Sequence, residues 1–65
     1  MANTYSILIR RYGRYQAFEN LEDLRDELRR YFTRSEIAAG VVERLTDFSS
    51  RSENSYHDIA VCKNH

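Results

Sequence analysis

The chain contains no proline and no tryptophan, and its 65 residues include only one cysteine and two glycines. The single cysteine, Cys62, cannot form an internal disulfide bond, so the chain lacks the cross-links that are usual in small secreted domains. The longest apolar run near the N-terminus, Ile7-Leu8-Ile9, is too short for a signal-peptide core or a membrane span. These absences predict a cytoplasmic protein.

The composition is that of a folded domain. Hydrophobic residues make up 42% of the chain and charged residues 31%, which argues against a disordered tail. We expect a single domain over residues 1–65, near the lower size limit at which one apolar core outweighs the conformational entropy lost on folding. Binding to a partner would add useful stability at this size.

Charge is balanced overall but distributed unevenly, with ten basic and ten acidic side chains. Residues 1–18 contain three arginines and no acid, whereas residues 19–28 contain five acids and one arginine. General duplex binding needs several cationic contacts to phosphate, and mimicry of DNA needs an acidic excess. The zero net charge favours neither class of protein.

The N-terminal segment predicts a β-hairpin. Residues 4–12 alternate between two faces, and one face is suited to the core. This face carries Tyr5, Ile7 and Ile9. Gly13 suits the first central position of a two-residue type II′ turn, which requires a positive φ. The resulting register pairs Ile9 with Phe18, Arg10 with Ala17 and Tyr12 with Tyr15.

Two helices are predicted to follow. Asn20 can cap a helix that begins at Leu21, because its side-chain oxygen can accept a hydrogen bond from the first turn. Acids occupy the first turns of this helix, where the helix dipole favours them. Its apolar residues recur at spacings of three and four, at Leu21, Leu24, Leu28, Tyr31 and Phe32. Thr33 and Glu36 match a capping box and predict the start of the second helix. The buried face of that helix is predicted to contain Ile37, Val41, Leu45 and Phe48, with Gly40 inside the helix.

The C-terminal segment predicts one more strand. Residues 49–55 form a polar loop by composition, and residues 56–63 alternate again, which predicts a strand beside the first one. The predicted fold class is therefore α+β, a small antiparallel three-stranded sheet with two helices on one face, in the order β-β-α-α-β. The first strand should lie between the second and the third.

No constellation of side chains predicts catalysis or a metal site. Cys62 and His65 have the spacing of half a zinc site, but tetrahedral zinc needs four ligands and the chain has no second pair. His57 and Asp58 are neighbours on a predicted strand, so their side chains should leave on opposite faces and cannot form an orienting pair. We therefore expect no catalytic residue, no metal, no cofactor and no enzymatic activity.

Nucleic-acid binding is the second hypothesis. Residues 33–41 resemble the start of a helix-turn-helix, although Gly40 stands two positions after Ala38 instead of the usual four. Exposed aromatic side chains beside arginine on the sheet could also stack bases. These features suggest a small nucleic-acid-binding regulator as an alternative function.

The segment Arg-Arg-Tyr-Gly-Arg-Tyr over residues 10–15 is the most distinctive in the chain. Arginine and tyrosine are enriched at protein interfaces, because each combines a large contact area with a polar tip. We expect the partner-binding residues to be Arg10, Arg11, Tyr12, Arg14 and Tyr15, which we call the Arg/Tyr patch. On the predicted sheet, Arg10, Tyr12 and Tyr15 share the face away from the helices with Leu8 and Ala17. The competing interpretation is that these side chains only keep an exposed hairpin soluble.

The sequence favours a non-catalytic protein-binding module that acts as a stoichiometric inhibitor or adaptor of a larger protein complex. Small phage-encoded counter-defence proteins, including anti-CRISPR proteins, have this general format. A third hypothesis is a homodimeric accessory subunit, because an unpaired strand edge offers a surface for self-pairing.

Overall fold

The computed structural model describes residues 4–64, which contain two strands, three α-helices and two further strands in that order. The strands are β1 (Tyr5–Ile9), β2 (Arg14–Phe18), β3 (Glu53–Tyr56) and β4 (Ile59–Lys63), and the helices are α1 (Leu21–Arg29), α2 (Arg34–Ala38) and α3 (Val41–Leu45). All neighbouring strands pair antiparallel, in the order β2-β1-β4-β3. The α+β class is confirmed, but the sheet has four strands instead of three, and the described residues form three helices instead of two.

The apolar core lies between the helices and one face of the sheet. The predicted core face of β1 is confirmed, because Ile7 and Ile9 are buried and pair with Val61 and Ile59 of β4. Helix residues complete the buried cluster, namely Leu24, Leu28, Val41, Val42 and Leu45. The opposite face of β1 and β2 carries Leu8, which pairs with Tyr15.

The predicted hairpin of β1 and β2 is confirmed, and so is the positive φ at Gly13, but the two-residue turn and the register are wrong. β1 ends at Ile9, which pairs with Arg14, whereas Phe18 pairs with Tyr5. A 3₁₀ turn (Arg10–Tyr12) joins the strands, and Gly13 follows it in the left-handed region with φ 59° and ψ 31°. A longer ladder would bury no aliphatic side chain, since residues 10–12 are two arginines and a tyrosine. Residues 10–12 instead form the 3₁₀ turn at the end of the sheet.

Helix α1 begins as predicted. The Asn20 side-chain oxygen accepts a hydrogen bond from the Asp23 backbone N–H at 2.9 Å, which confirms the N-cap. The helix ends at Arg29, so Tyr31 and Phe32 of the predicted stripe lie in the following connection. Both aromatic side chains still pack against the core, and the stripe therefore predicted burial correctly beyond the helix itself.

The second predicted helix is divided in two at Gly40. Its capping box is confirmed, because Thr33 Oγ1 accepts from the Glu36 N–H at 3.2 Å and a Glu36 carboxylate oxygen accepts from the Thr33 N–H at 2.8 Å. Gly40 then adopts φ 84° and ψ 22°, which ends the helical path and redirects the chain into α3. Glycine reaches this left-handed conformation cheaply, and the change of direction brings Val42 fully into the core.

Replacement of Gly40 by alanine is expected to lower the free energy of unfolding by about 1–2 kcal/mol, the cost of holding an alanine in the left-handed region. A Cβ atom at this position would meet no heavy atom within 4 Å, so backbone strain is the cause and steric overlap is not. Urea denaturation followed by circular dichroism measures the loss. The Gly40→Asn variant should lose less, because asparagine adopts this conformation more readily. An alanine variant as stable as the parent would contradict the explanation.

The predicted C-terminal loop and strand also need correction. β3 begins inside the predicted loop, and a turn at His57 and Asp58 divides the predicted strand, with His57 at φ 56°. β3 is held by polar contacts that alternation of hydrophobic residues cannot reveal. The Asn54 side-chain amide donates to the backbone carbonyls of Leu45 at 3.0 Å and Asp47 at 3.1 Å. β4 takes the predicted place beside β1, and β3 extends the sheet by one strand.

Candidate functional site

Two connections lie side by side at one end of the sheet, the turn between β1 and β2 and the turn between β3 and β4. The Arg10 backbone N–H donates to the Asp58 carbonyl at 2.9 Å. The Arg11 guanidinium donates to both oxygens of the Asp58 carboxylate, from Nε at 2.5 Å and from Nη2 at 3.1 Å. These contacts connect the turn between β1 and β2 to the turn between β3 and β4.

The ion pair changes the acidity of both partners. The hydrogen bonds from Arg11 lower the pKa of Asp58 to about 2, and the same contacts raise the pKa of Arg11. Most of the Arg11 charge is therefore balanced inside the molecule, although 58% of its side chain stays exposed. Asp58 was not predicted as part of the site, because it is far from Arg11 in sequence and no local pattern connects the two.

Titration of Asp58 should follow this pairing. In the parent chain we expect a carboxyl pKa near 2, and in the Arg11→Ala variant we expect a return toward the ordinary value of 3.8. Because the folded-state pKa is lowered, the contribution of the pair to stability is present above about pH 4 and is lost as the pH falls toward 2. Carbon-detected NMR titration measures the pKa directly. An Asp58 pKa of 3.8 in the parent chain would refute the pairing.

Two tyrosines dominate the exposed apolar surface. Tyr12 and Tyr15 are each 65% exposed, and they are the large hydrophobic side chains exposed to solvent among residues 4–64. Tyr15 lies on the open face of the sheet opposite Leu8. Arg10 and Tyr12 were predicted on that face, but β1 ends before them, so they lie on the 3₁₀ turn at the end of the sheet. The Arg11 guanidinium carbon lies 5.6 Å from the centre of the Tyr12 ring.

Arg14 is directed to the other side of the sheet. It pairs with the buried Ile9, so its side chain lies on the helical face, where Nη2 is 3.9 Å from a Glu27 carboxylate oxygen. Glu27 is almost fully buried and also accepts hydrogen bonds from Arg30 at 3.3 Å and Tyr31 at 3.2 Å. The patch thus contains two arginines with ionic partners, Arg11 and Arg14, whereas Arg10 forms no ion pair with residues 4–64.

Other chemistry finds little support in the described residues. Of the two residues with half-site spacing for zinc, His65 lies outside residues 4–64, and within that range no three His, Cys, Asp or Glu side chains cluster to hold a metal ion. His57 and Asp58 occupy a turn, not the strand predicted for them. No helix in the described part of the chain is long and apolar enough to cross a membrane.

The fold and the site define a small α+β domain with an open sheet face and an exposed turn rich in arginine and tyrosine. No protein-family model matches the chain, and comparisons with curated proteins and with solved structures find no match either. A functional interpretation therefore depends on the surface of this molecule.

Proposed function

We propose that this chain is a non-catalytic protein-binding module that docks onto a larger protein through the Arg/Tyr patch. One observation carries the proposal: the two strongly exposed tyrosines, Tyr12 and Tyr15, lie three positions apart and follow closely on Arg10, which forms no ion pair within residues 4–64. A few residues carry most of the binding energy at measured protein interfaces, and tyrosine and arginine are enriched among them. Tyr15 also borders the half-buried Leu8, which extends the apolar area onto the open sheet face.

The rigidity of the turn supports the same function. The contacts of Arg10 and Arg11 with Asp58 hold residues 10–12 in one conformation before any partner arrives. Association is weakened by every loop and side chain that must become ordered on binding. A turn that is already fixed loses less conformational entropy, so a small patch can bind with useful affinity.

A stoichiometric inhibitor or adaptor is the role we favour for such a module, since a small rigid domain can cover a functional surface of a larger protein. A phage-encoded counter-defence protein of the anti-CRISPR kind is one form of this proposal, and the small size of the chain is its only support.

The alternatives each have one favourable feature. The feature that favours a nucleic-acid-binding regulator is the pair of exposed tyrosines, which could stack on bases. However, the ionic partners of Arg11 and Arg14 reduce the charge that the patch can offer to phosphate. The feature that favours a homodimeric accessory subunit is the pair of open sheet edges at β2 and β3, to which a second copy could add a strand.

The experiment begins with affinity capture of the tagged chain from its native cell, with nuclease added, and identification of the captured protein by mass spectrometry. Direct titration with the purified partner then measures stoichiometry and salt dependence. We expect a fixed molar ratio and an affinity that changes little between low and physiological salt. An affinity that collapses with salt, or capture that nuclease abolishes, would favour the nucleic-acid alternative. Sedimentation of the free chain tests the homodimer.

A further inference from the structure

The outer edge of β3 presents unpaired main-chain groups. Lys63 N–H donates to the Ser52 carbonyl at 2.8 Å, and this pair fixes which residues of β3 bond to β4. The direction of main-chain hydrogen bonding alternates along an antiparallel strand. The N–H and C=O groups of Asn54 and Tyr56 therefore bond to β4, whereas those of Glu53 and Ser55 point away from the sheet. An open edge of this kind can accept a further strand.

A cationic cleft of about 270 Å³ lies beside this edge, between α3 and β3. Val41 and Leu45 contribute its apolar side, and Arg44 and Arg51 contribute two guanidinium groups. Both arginines are exposed, and neither forms an ion pair with a carboxylate of residues 4–64. Within the described residues, the two guanidinium groups of the cleft thus lie without a paired carboxylate beside the outward backbone groups of β3.

We propose that β3 and this cleft bind an extended acidic peptide segment of another protein. The segment adds to the sheet beside β3 through the outward groups of Glu53 and Ser55. Its side chains alternate in direction, so every second one lies on the helical side of the sheet and enters the cleft. A glutamate or aspartate there meets the guanidinium groups of Arg44 and Arg51, which bind carboxylates through paired hydrogen bonds. This surface is separate from the Arg/Tyr patch and does not depend on it.

The contacts of Tyr56 favour a peptide over a single-stranded nucleic acid. Its hydroxyl donates to a Glu36 carboxylate oxygen at 3.1 Å, and its ring packs edge-on against Phe32 with centres 5.6 Å apart. The ring is therefore half-buried and held in place by these contacts, which leaves less of it on which a base could stack. The outward N–H and C=O groups of β3 match a peptide backbone, whereas a nucleic acid has no backbone that could add to a sheet.

The probe is a short fluorescein-labelled peptide of alternating glutamate and threonine, compared with a peptide in which glutamine replaces glutamate. Fluorescence anisotropy measures the affinity of the full chain for each, and amide hydrogen exchange monitors Glu53 and Ser55. We expect the glutamate peptide to bind at least about tenfold more tightly than the glutamine peptide. The double variant Arg44→Ala with Arg51→Ala should lose this preference, whereas Arg34→Ala, at the start of α2, should keep it. Exchange of the Glu53 and Ser55 amides should slow when the peptide is bound.

A proline tests the strand pairing separately. Ser55→Pro removes an outward N–H without removing a bond to β4, and it should abolish binding. Ala17→Pro removes an outward N–H from the opposite edge, on β2, and should leave binding unchanged. If Ser55→Pro does not fold, the exchange of the two amides in the parent chain still decides. The proposal is overturned if neither peptide binds or if Ser55→Pro binds the peptide normally. It is also overturned if a short single-stranded RNA displaces the peptide, which would make the cleft a nucleic-acid site. Dissociation of a dimer of this chain by Ser55→Pro would overturn it as well, because a second copy would then occupy the edge.

Discussion

Replacement of Leu28 by alanine is expected to remove much of the stability of the domain. Leu28 is fully buried between α1 and the sheet, and truncation of a buried leucine costs about 2–5 kcal/mol, because transfer energy is lost and a cavity remains. A domain of 65 residues has a total stability of only about 5 kcal/mol. The variant should therefore retain at most about 3 kcal/mol, and at the upper end of the expected loss about half of it is unfolded at room temperature. Urea denaturation with circular dichroism measures the loss.

Leu21 provides the matched control on the same helix. It is only partly buried at the margin of the core, so Leu21→Ala makes the same chemical change with a smaller cavity and should cost clearly less. Equal losses for the two variants, or a loss below about 1 kcal/mol for Leu28→Ala, would show that the core is not centred on α1.

The parts of the fold that the sequence predicts correctly depend on neighbouring residues. The buried face of β1 follows from the alternation of Ile7 and Ile9, and the start of α1 follows from Asn20 and the acids after it. Thr33 and Glu36 signal the next helix in the same way. In each case the signal lies within a few neighbouring residues, namely an alternation in β1 and a cap at each helix start, so a short window of sequence contains it.

The parts that were missed depend on contacts between distant residues. β3 forms because Asn54 bonds to backbone carbonyls at the end of α3 and beyond it, and its sequence alone has the composition of a loop. The second helix is divided at Gly40, and Val42 beyond the break is fully buried in the core. Propensity favours a break at glycine only weakly, and tertiary packing determines whether it occurs.

The candidate site shows the same division. Tyr12 and Tyr15 were expected to be exposed on the sheet face away from the helices, and both are exposed, although Tyr12 lies on the 3₁₀ turn and not on that face. The positions of the arginines were not predictable, because Arg11 meets Asp58 across most of the chain and Arg14 meets Glu27 on the helical side. Within residues 4–64, the members of the Arg/Tyr patch that form no ion pair are therefore Arg10, Tyr12 and Tyr15.

The triple variant Arg10→Ala, Tyr12→Ala and Tyr15→Ala is expected to weaken binding to the partner by at least about 100-fold, because exposed tyrosine and arginine anchors each contribute about 2 kcal/mol or more at protein interfaces. Stability should change little, since both tyrosines are 65% exposed and Arg10 forms no ion pair with residues 4–64. Calorimetric titration against the purified partner measures the affinity, and urea denaturation checks the fold.

Two controls separate recognition from a general effect of surface change. Arg34→Ala removes an exposed arginine from the helical layer and should leave the affinity unchanged. Tyr15→Phe keeps the ring and removes only the hydroxyl, so it should retain most of the affinity if the ring area carries the contact. If the triple variant binds its partner as the parent does and is merely less soluble, the tyrosines protect the turn against aggregation and recognition lies elsewhere. If the triple variant fails to fold, these side chains stabilise the sheet, and the patch is structural.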